Sequence, residues 1–229
     1  MTMNDSVSSG ELFLNIVSSR RSMRDFKPEP VPRDIIESVF GGAQRAPSNC
    51  NTQPWFVHVV TGETLERLRA ELPAKFAAGE IALDFPYDGQ YEGVYKDRQY
   101  ASATALYDSL GIAREQKAER NSWFMRNFSF FDAPAVAFFT LPTGFGLREA
   151  CDLGMFAQTV MLGLTAHGLG FCPQTSLASL ANNVVRPTLG LGDYEQLMFG
   201  MSFGYPTDTA VNEVRTERAA LEDVVTFHS

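Results

Sequence analysis

A polar loop between two prolines is the stretch of this sequence best suited to hold a ligand. The loop runs from Ala46 to Phe56 and merges with the strand-like stretch Trp55–Val60. Its candidate ligand-binding residues are Pro47, Ser48, Asn49, Asn51 and Gln53. Because proline fixes the backbone φ angle and Ser and Asn favour turns, the loop should present its amide and backbone groups in set directions. This predicts a site for a flat ligand with polar edges.

A group of arginines is the second candidate site. Directly after the first predicted helix come Arg20, Arg21, Ser22 and Arg24. One interpretation is a solvated basic patch that complements the negative end of the helix dipole. The other is an anion-binding site, because the arginine fork matches phosphate oxygens and the Ser22 hydroxyl adds a donor. These residues alone leave both interpretations open.

Four segments in order resemble the motifs of the nitroreductase family. The polar loop resembles P-S-x-x-N-x-Q-P-W, and the arginine segment resembles R-x-S-x-[RK]. A family turn that often carries Glu-Gly is matched by Pro173, Gln174, Thr175 and Ser176. Residues 218–222 match R-x-P-L-E, with alanine in place of proline. The resemblance covers nearly the whole chain apart from residues 79–121.

The resemblance implies a fold, a cofactor and a dimer. Family members have an α+β fold, with a central, mostly antiparallel sheet flanked by helices, and they are homodimers that hold FMN at the subunit interface. The cofactor-binding residues implied outside the polar loop and the turn are Arg20, Arg21, Ser22, Arg24, Arg215 and Arg218. The first four would lie along the phosphate, ribityl chain and pyrimidine edge, and the last two would add positive charge. The polar loop would reach the flavin bound mainly by the other subunit.

The turn at residues 173–176 is implied to support the chemistry. In the family it places a backbone N–H near the flavin nitrogen that accepts hydride. Pro173 and Gln174 lead into the turn, and Thr175 and Ser176 stand at the catalytic position. Because relatives often have Glu-Gly here, the resemblance transfers a backbone contact and not a side-chain contact.

The implied activity is that of an FMN-dependent oxidoreductase that uses NADH or NADPH as a transient hydride donor. The cycle would be ping-pong, with nicotinamide leaving before the acceptor enters. Acceptors would be flat and electron-poor, such as nitroaromatics or quinones, because they must stack on the flavin ring. A same-fold dehalogenase, a flavin-fragmenting enzyme and a non-catalytic flavin storage module are the alternatives that stay open.

The elements that must position these groups follow from the pattern of apolar residues. A capping box at Ser8–Glu11 starts the first helix, which ends just before the arginines. A second helix around Ile35–Ala43 delivers the polar loop. The strongest helical pattern, Leu147–His167 with Gly168 as the cap, predicts a buried central helix. Besides Trp55–Val60, strands are predicted at Ala135–Thr140, at residues 170–174 and at Gln196–Phe203. A further helix is predicted from the 173–176 turn to about Leu189.

Residues 79–121 form an excursion from this pattern. Between Gly79 and Tyr100 helical periodicity fails while tyrosines accumulate, and residues 98–120 then favour a helix with a break at Gly111. Long loops are usually functional or disordered, and disordered segments are poor in aromatic residues. The excursion is therefore either a lid that shapes a substrate pocket or an ordered surface loop that covers core.

Three other motifs lack the context that their chemistry requires. The three histidines and three cysteines show no metal-ligand spacing, so no metal site is expected. Gly168-x-Gly170-x-x-Pro173 follows a helix and ends in proline, which disfavours a Rossmann site. Gly200–Gly204 satisfies G-x-S-x-G, but no helix follows Ser202, so a closely packed strand end is predicted instead of a hydrolase.

Composition limits the remaining classes of function. A chain of 229 residues with 45% hydrophobic content predicts one domain over residues 1–229. A net charge of −8 disfavours nucleic acid and anionic membranes as partners. Three separated cysteines without C-x-x-C favour a reducing compartment, and the polar N-terminus and lack of long apolar runs disfavour a signal peptide or a membrane span. We therefore expect a cytoplasmic protein.

Overall fold

The structure is a computed structural model that describes residues 7–87 and 89–229. In this part of the chain the helices are α1 (Ser9–Ser19), α2 (Arg33–Ala43), α3 (Gly62–Ala77), α4 (Gly93–Ser109), α5 (Lys117–Met125), α6 (Leu147–Ala166) and α7 (Arg186–Leu189). The strands are β1 (Phe56–Thr61), β2 (Ala135–Pro142), β3 (Gly170–Gln174) and β4 (Glu195–Gly204). No helix of these residues has both the length and the apolar character needed to cross a membrane.

The four strands form one antiparallel sheet in the order β1-β2-β4-β3. The central strand β2 is buried along almost its whole length, as its continuous apolar sequence predicts. The sheet and its flanking helices confirm the predicted α+β fold. The arginine segment extends the sheet beyond β3, because Ser22 bridges to Phe171 and Phe26 bridges to Pro206.

The sheet separates two apolar cores, since successive side chains of a strand point to opposite faces. Val136 and Phe138 of β2 face a core shared with the buried leucines of α3. Phe139 and Leu141 face a second core, built with α2 and α6. The sheet therefore holds α6 on one side, and α6 in turn positions the polar loop.

Three helices were predicted correctly. They are α1 and α2, on either side of the arginine segment, and the central helix α6. Ser8 caps α1 through a reciprocal capping box with Glu11. Helix α6 ends where predicted, with Gly168 in the left-handed region at a φ of +74°. One feature of α1 is unusual for a monomer, because the helix contains no buried residue and its apolar residues Leu12 and Phe13 are exposed.

The excursion differs from the predicted boundaries. Helix α4 begins at Gly93, within the stretch that was predicted to lack helical periodicity. The single helical region predicted at residues 98–120 is instead divided between α4 and α5, which are separated by residues 110–116, including Gly111. Helix α4 contains no buried residue, so it has no apolar stripe from which its start could be predicted.

The predicted helix after β3 is also irregular. The chain forms a 3-10 turn at Thr175–Leu180 and a π turn at Ala181–Val185, and only Arg186–Leu189 is α-helical. The side chains of Asn182 and Asn183 donate to backbone carbonyls of residues 82 and 80, respectively, in the excursion. These long-range bonds hold the segment in a form that local propensity does not predict.

The G-x-S-x-G motif lies within β4, as the close-packing interpretation predicted. A Cβ on Gly200 would come 2.5 Å from a methyl carbon of Leu177, and one on Gly204 would come 2.6 Å from the Pro134 ring. Ser202 is buried and donates its hydroxyl hydrogen to the side-chain oxygen of Gln174. The glycines therefore permit close packing, and the serine is not presented on a nucleophile elbow.

Candidate functional site

The arginine segment runs between α1 and the sheet and is fixed by hydrogen bonds to both sides. The backbone N–H of Met23 donates to the carbonyl of Phe171 in β3 at 2.8 Å. On the other side, the backbone N–H of Arg24 donates to Oδ1 of Asn212 at 2.7 Å. Asn212 is buried, and its Nδ2 donates to the carbonyl of Asp25 at 2.7 Å. The segment therefore has a defined backbone path.

A cleft of about 610 Å³ opens beside this segment, and we call it the first cleft. It brings together six residues that the sequence singled out: Arg20, Arg21, Ser22, Arg24, Arg215 and Arg218. The last two lie about 190 positions from the others in the chain, yet they line the same cavity. Residues from the two ends of the chain therefore line one cleft within a single subunit.

The first cleft carries uncompensated positive charge. In the described residues, Arg20, Arg24, Arg215 and Arg218 have no carboxylate within ion-pair distance, although the chain has a net charge of −8. Burial, followed by the nearby charge of Arg218, lowers the pKa of Arg20 below its usual value. An anion bound here would offset this repulsion, so the cleft is suited to a phosphate.

Arg21 differs from the other arginines because its side chain is already engaged. Its Nε donates to the carbonyl of Asn212, and its Nη2 lies 2.8 Å from a carboxylate oxygen of Glu213. This pairing ties the arginine segment to the C-terminal region. The arrangement gives the Arg21 side chain a structural role, whatever it adds to ligand binding.

Helix α4 supplies a wall of the first cleft that sequence reasoning missed. Gln99, Ser102, Ala103 and Leu106 line the cavity, and their spacing of i, i+3, i+4 and i+7 puts them on one helix face. Gln158 of α6 also lines it. The spacing was the available signal, but the small and polar residues on this face do not form the apolar stripe by which helices are recognised.

The polar loop is rigidly held but does not line the first cleft. The backbone N–H of Asn49 donates to the buried carboxylate of Asp152 in α6 at 3.0 Å. Asn51 and Gln53 have φ angles of 57° and 48°, in the left-handed region that non-glycine residues seldom adopt. The backbone N–H of Gln53 donates to the Ser48 hydroxyl at 2.9 Å.

The side chains that this loop presents point to solvent. Asn49, Asn51 and Gln53 are exposed, as are Pro47 and the adjacent Cys50. At the base of the loop, the buried Trp55 stacks on Phe156 of α6 with 4.8 Å between ring centroids. The loop is therefore an ordered polar surface that lies outside the first cleft.

The turn after β3 also lies outside the first cleft and is anchored by Gln174. The buried Gln174 side chain donates to the carbonyl of Asn127 at 2.8 Å and accepts a hydrogen bond from Ser202. Both the amide nitrogen and the amide oxygen of Gln174 are engaged in hydrogen bonds inside the protein. Any contact of this residue with a ligand must therefore come from its backbone. Pro173 and Thr175 are exposed, whereas the Ser176 hydroxyl is buried without a partner in the described residues.

Arg24 relates the first cleft to this turn. Burial raises the pKa of the Cys172 thiol in β3, and the positive charge of Arg24 offsets part of that rise. The preceding residues Ser22 and Met23 bond to Phe171 of β3, so the Arg24 backbone lies near the strand that leads into residues 173–176. Arg24 and Arg218, from the N-terminal and C-terminal parts of the chain, both line the first cleft.

Comparison with known proteins gives one consistent assignment. The model of the nitroreductase family matches residues 17–205. Nitroreductase NfnB of Mycolicibacterium smegmatis is 41% identical over 214 residues, covering 93% of this chain and 91% of that protein. A 4-nitrobenzoate reductase of Pseudomonas putida is 34% identical over 215 residues, covering 93% of each chain.

The similarity extends to the fold. The crystal structure of the FMN-dependent nitroreductase NfnB from Mycobacterium smegmatis in complex with NADPH superposes with a TM-score of 0.93 at 39% identity. The match covers 97% of this chain and 100% of that one. With the family motifs placed on this fold and the arginine segments joined in one cleft, the chain belongs to the nitroreductase family.

Proposed function

We propose that this protein is an FMN-dependent oxidoreductase that uses NADPH or NADH to reduce nitroaromatic compounds, with quinones as further acceptors. The uncompensated guanidinium groups of the first cleft carry the proposal. Relatives at 41% and 34% identity are named as a nitroreductase and a 4-nitrobenzoate reductase, which supports the same substrate class here. The chain covers more than nine-tenths of both relatives, so the comparison concerns whole proteins.

The residues of the first cleft fit the phosphate end of FMN. A phosphomonoester carries about −1.5 to −2 charges near neutral pH. Arg20 and Arg218 would hold that charge. Burial and then the charge of Arg218 lower the pKa of Arg20, and a bound phosphate would offset the repulsion between the two guanidinium groups. Ser22 and Arg24, on the same segment, would address the ribityl chain and the pyrimidine edge toward β3. Gln99 of α4 would add an amide to the wall.

Bound FMN would supply the redox chemistry, by accepting a hydride from NAD(P)H and reducing the acceptor in a second half-reaction. The part of the protein is to orient the ligands and to stabilise negative charge. We assign backbone N–H groups at Thr175 and Ser176 to that stabilisation, because preorganised donors stabilise negative charge where it develops. Gln174 holds these groups in place through its buried bonds to Asn127 and Ser202.

The site is completed by a second copy of the chain in this proposal. Pro47, Ser48, Asn49, Asn51 and Gln53 form an ordered polar surface that lies outside the first cleft of their own subunit. They would meet the flavin of the partner subunit. The exposed apolar face of α1 supports this arrangement, since exposed apolar patches of this kind mark interfaces.

The remaining parts of the proposal concern the role of the excursion and the cellular location of the protein. Residues 79–121 would act as a lid within a single domain of residues 1–229, because α4 lines the first cleft. A cytoplasmic location is consistent with the three free cysteines of the described residues.

The proposed function is tested by reconstitution and turnover. Purified protein is expected to stay yellow when it is mixed with FMN and the unbound flavin is then removed. In the absence of oxygen, this protein should turn over NADPH or NADH only when a nitroaromatic or quinone acceptor is present. Initial rates at several acceptor concentrations should give the parallel double-reciprocal lines of a ping-pong cycle. A protein that stays colourless would refute the assignment, and one that binds FMN without turnover would be a storage module. Light scattering tests the dimer, which a monomer with full flavin occupancy would contradict.

A further inference from the structure

Ser202, the serine of the G-x-S-x-G motif, places a hydroxyl group in the interior of the sheet. It lies in β4 opposite Cys172 of β3 and is fully buried. Its hydrogen-bond partner, the side chain of Gln174, is also buried. Because a buried polar group costs free energy unless it forms a hydrogen bond, an apolar pair would fill this position at less risk to stability. The polar pair therefore calls for a role beyond packing.

The direction of each hydrogen bond in this group follows from its far end. The backbone carbonyl of Asn127 can only accept, so the group that lies 2.8 Å from it is Nε2 of Gln174. The Oδ1 atom of Asn127 lies 3.3 Å from the same nitrogen. The Oε1 atom of Gln174 then faces Ser202, whose hydroxyl must donate. The Gln174 amide is thus held at both ends in one orientation.

The same segment of β4 makes a second contact with the turn that follows β3. Gly200 lies opposite Gln174 in the register of the two strands. A Cβ on Gly200 would come 2.5 Å from a methyl carbon of Leu177, so the glycine lets this buried leucine pack directly on the strand. Since residues two apart in a strand share a face, Gly200 and Ser202 hold the turn from the same side of β4.

The turn itself keeps its shape through an internal hydrogen bond. The Ser179 hydroxyl donates to the backbone carbonyl of Ser176 at 2.6 Å, within the 3-10 turn Thr175–Leu180. Thr175 and Ser176 directly follow Gln174 in the chain. A displacement of Gln174 would therefore move the backbone N–H groups of both residues together.

We propose that Ser202 is a positioning residue for the redox reaction, which holds the Gln174 amide and thereby directs the backbone N–H groups of Thr175 and Ser176 toward the bound flavin. The inference rests on the proposed function and adds a residue that acts on the site through another. Without the Ser202 hydroxyl, Oε1 of Gln174 would be buried without this donor, and the side chain would have to move to regain a partner. The displaced N–H groups would then stabilise the negative charge of the reduced cofactor less well.

The midpoint potential of bound FMN measures this effect independently of turnover. In the FMN-loaded full chain, Ser202→Ala should lower the equilibrium preference for reduced over oxidised flavin about threefold to tenfold, which for a two-electron couple makes the potential about 15–30 mV more negative. The visible absorption band of the bound oxidised flavin should shift as well. Ser202→Cys keeps a weak donor and should shift the potential in the same direction by less, and it provides the test if the alanine variant does not fold.

A double-mutant cycle tests whether Ser202 acts through Gln174. Gln174→Met replaces the amide with an apolar side chain of similar length and should itself make the potential more negative. In that background Ser202→Ala should produce no further shift, because the hydroxyl has already lost its acceptor. Additive shifts would mean that Ser202 acts by another route, and they would overturn the inference.

Thr140→Val is the matched control. Thr140 is fully buried in β2 of the same sheet, and its hydroxyl donates to a carboxylate oxygen of Glu195 at 2.8 Å, outside residues 173–180. The variant should lower the thermal stability of the apoprotein and leave the midpoint potential unchanged. An unchanged potential in Ser202→Ala, or an equal shift in Thr140→Val, would overturn the inference while FMN binding and turnover stand. Failure of wild-type protein to bind FMN would overturn the proposed function and this inference with it.

Discussion

Replacing Arg218 with alanine is expected to weaken FMN binding without destabilising the apoprotein. In the described residues the hydrogen bonds of the Arg218 side chain run only to Thr216 and Glu217, within its own turn. Its charge contributes to the lowered pKa of Arg20, which indicates repulsion across the first cleft. Removing Arg218 therefore relieves repulsion in the empty site, and it removes a phosphate contact from the occupied one.

The size of the effect follows from the contact that is lost. A charge-assisted hydrogen bond contributes about 1.5–3 kcal/mol. Arg218 is exposed in the single chain, so we expect the lower end, about 1.5 kcal/mol, which raises the Kd for FMN about tenfold. Titration of the apoprotein with FMN, followed by quenching of flavin fluorescence, measures this change. Thermal denaturation of the apoprotein measures stability, and Arg114→Ala controls for the loss of one positive charge.

Two results would refute this reasoning. An unchanged Kd for FMN in Arg218→Ala would remove Arg218 from the phosphate site. A lower Tm of the apoprotein would contradict the claim that Arg20 and Arg218 repel one another when no anion is bound. Arg114→Ala should change neither quantity, so a similar loss of FMN affinity in that variant would point to overall charge and not to a specific contact.

Two further predictions concern the support of the arginine segment. Asn212→Ala should lower the free energy of unfolding by about 2–3 kcal/mol, because a backbone N–H and two carbonyl groups lose their partner. Urea denaturation measures this, with the exposed Asn121→Ala as control, and a loss no larger than the control's would contradict it. Asp25→Asn should destabilise the protein near neutral pH and less so in acid. Burial alone would raise the pKa of Asp25, but hydrogen bonds from Thr207 and Arg126 outweigh it, so the pKa is lowered. The stability that the carboxylate contributes is present above its unfolded pKa and is lost as the pH falls through its folded pKa. The difference in unfolding free energy between wild-type protein and Asp25→Asn should therefore narrow below about pH 5, and a constant difference would refute the assignment.

The elements that could be predicted are those whose signals are local. The capping box at Ser8 and Glu11, the apolar stripe of α6 and the continuous apolar run of β2 each lie within a few turns or one strand. The start of α4 was missed because that helix buries no residue and so has no stripe. The irregular segment 175–185 was missed because Asn182 and Asn183 bond to the excursion about 100 positions away.

The sequence by itself determined which residue types were available for the site. Arg20, Ser22 and Arg24 could be recognised as a candidate anion-binding segment, and the loop containing Asn51 and Gln53 as a polar surface, because these properties belong to the side chains and their spacing. Only the tertiary structure decided that Arg20 and Arg218 line one cleft while the loop lies outside it. Asn212 fixes this arrangement through a contact with Arg24 across 188 positions, and such a contact leaves no pattern in neighbouring residues. The chemistry of a single segment can be recognised from neighbouring residues, whereas the approach of charges from distant segments depends on how the sheet and α4 pack.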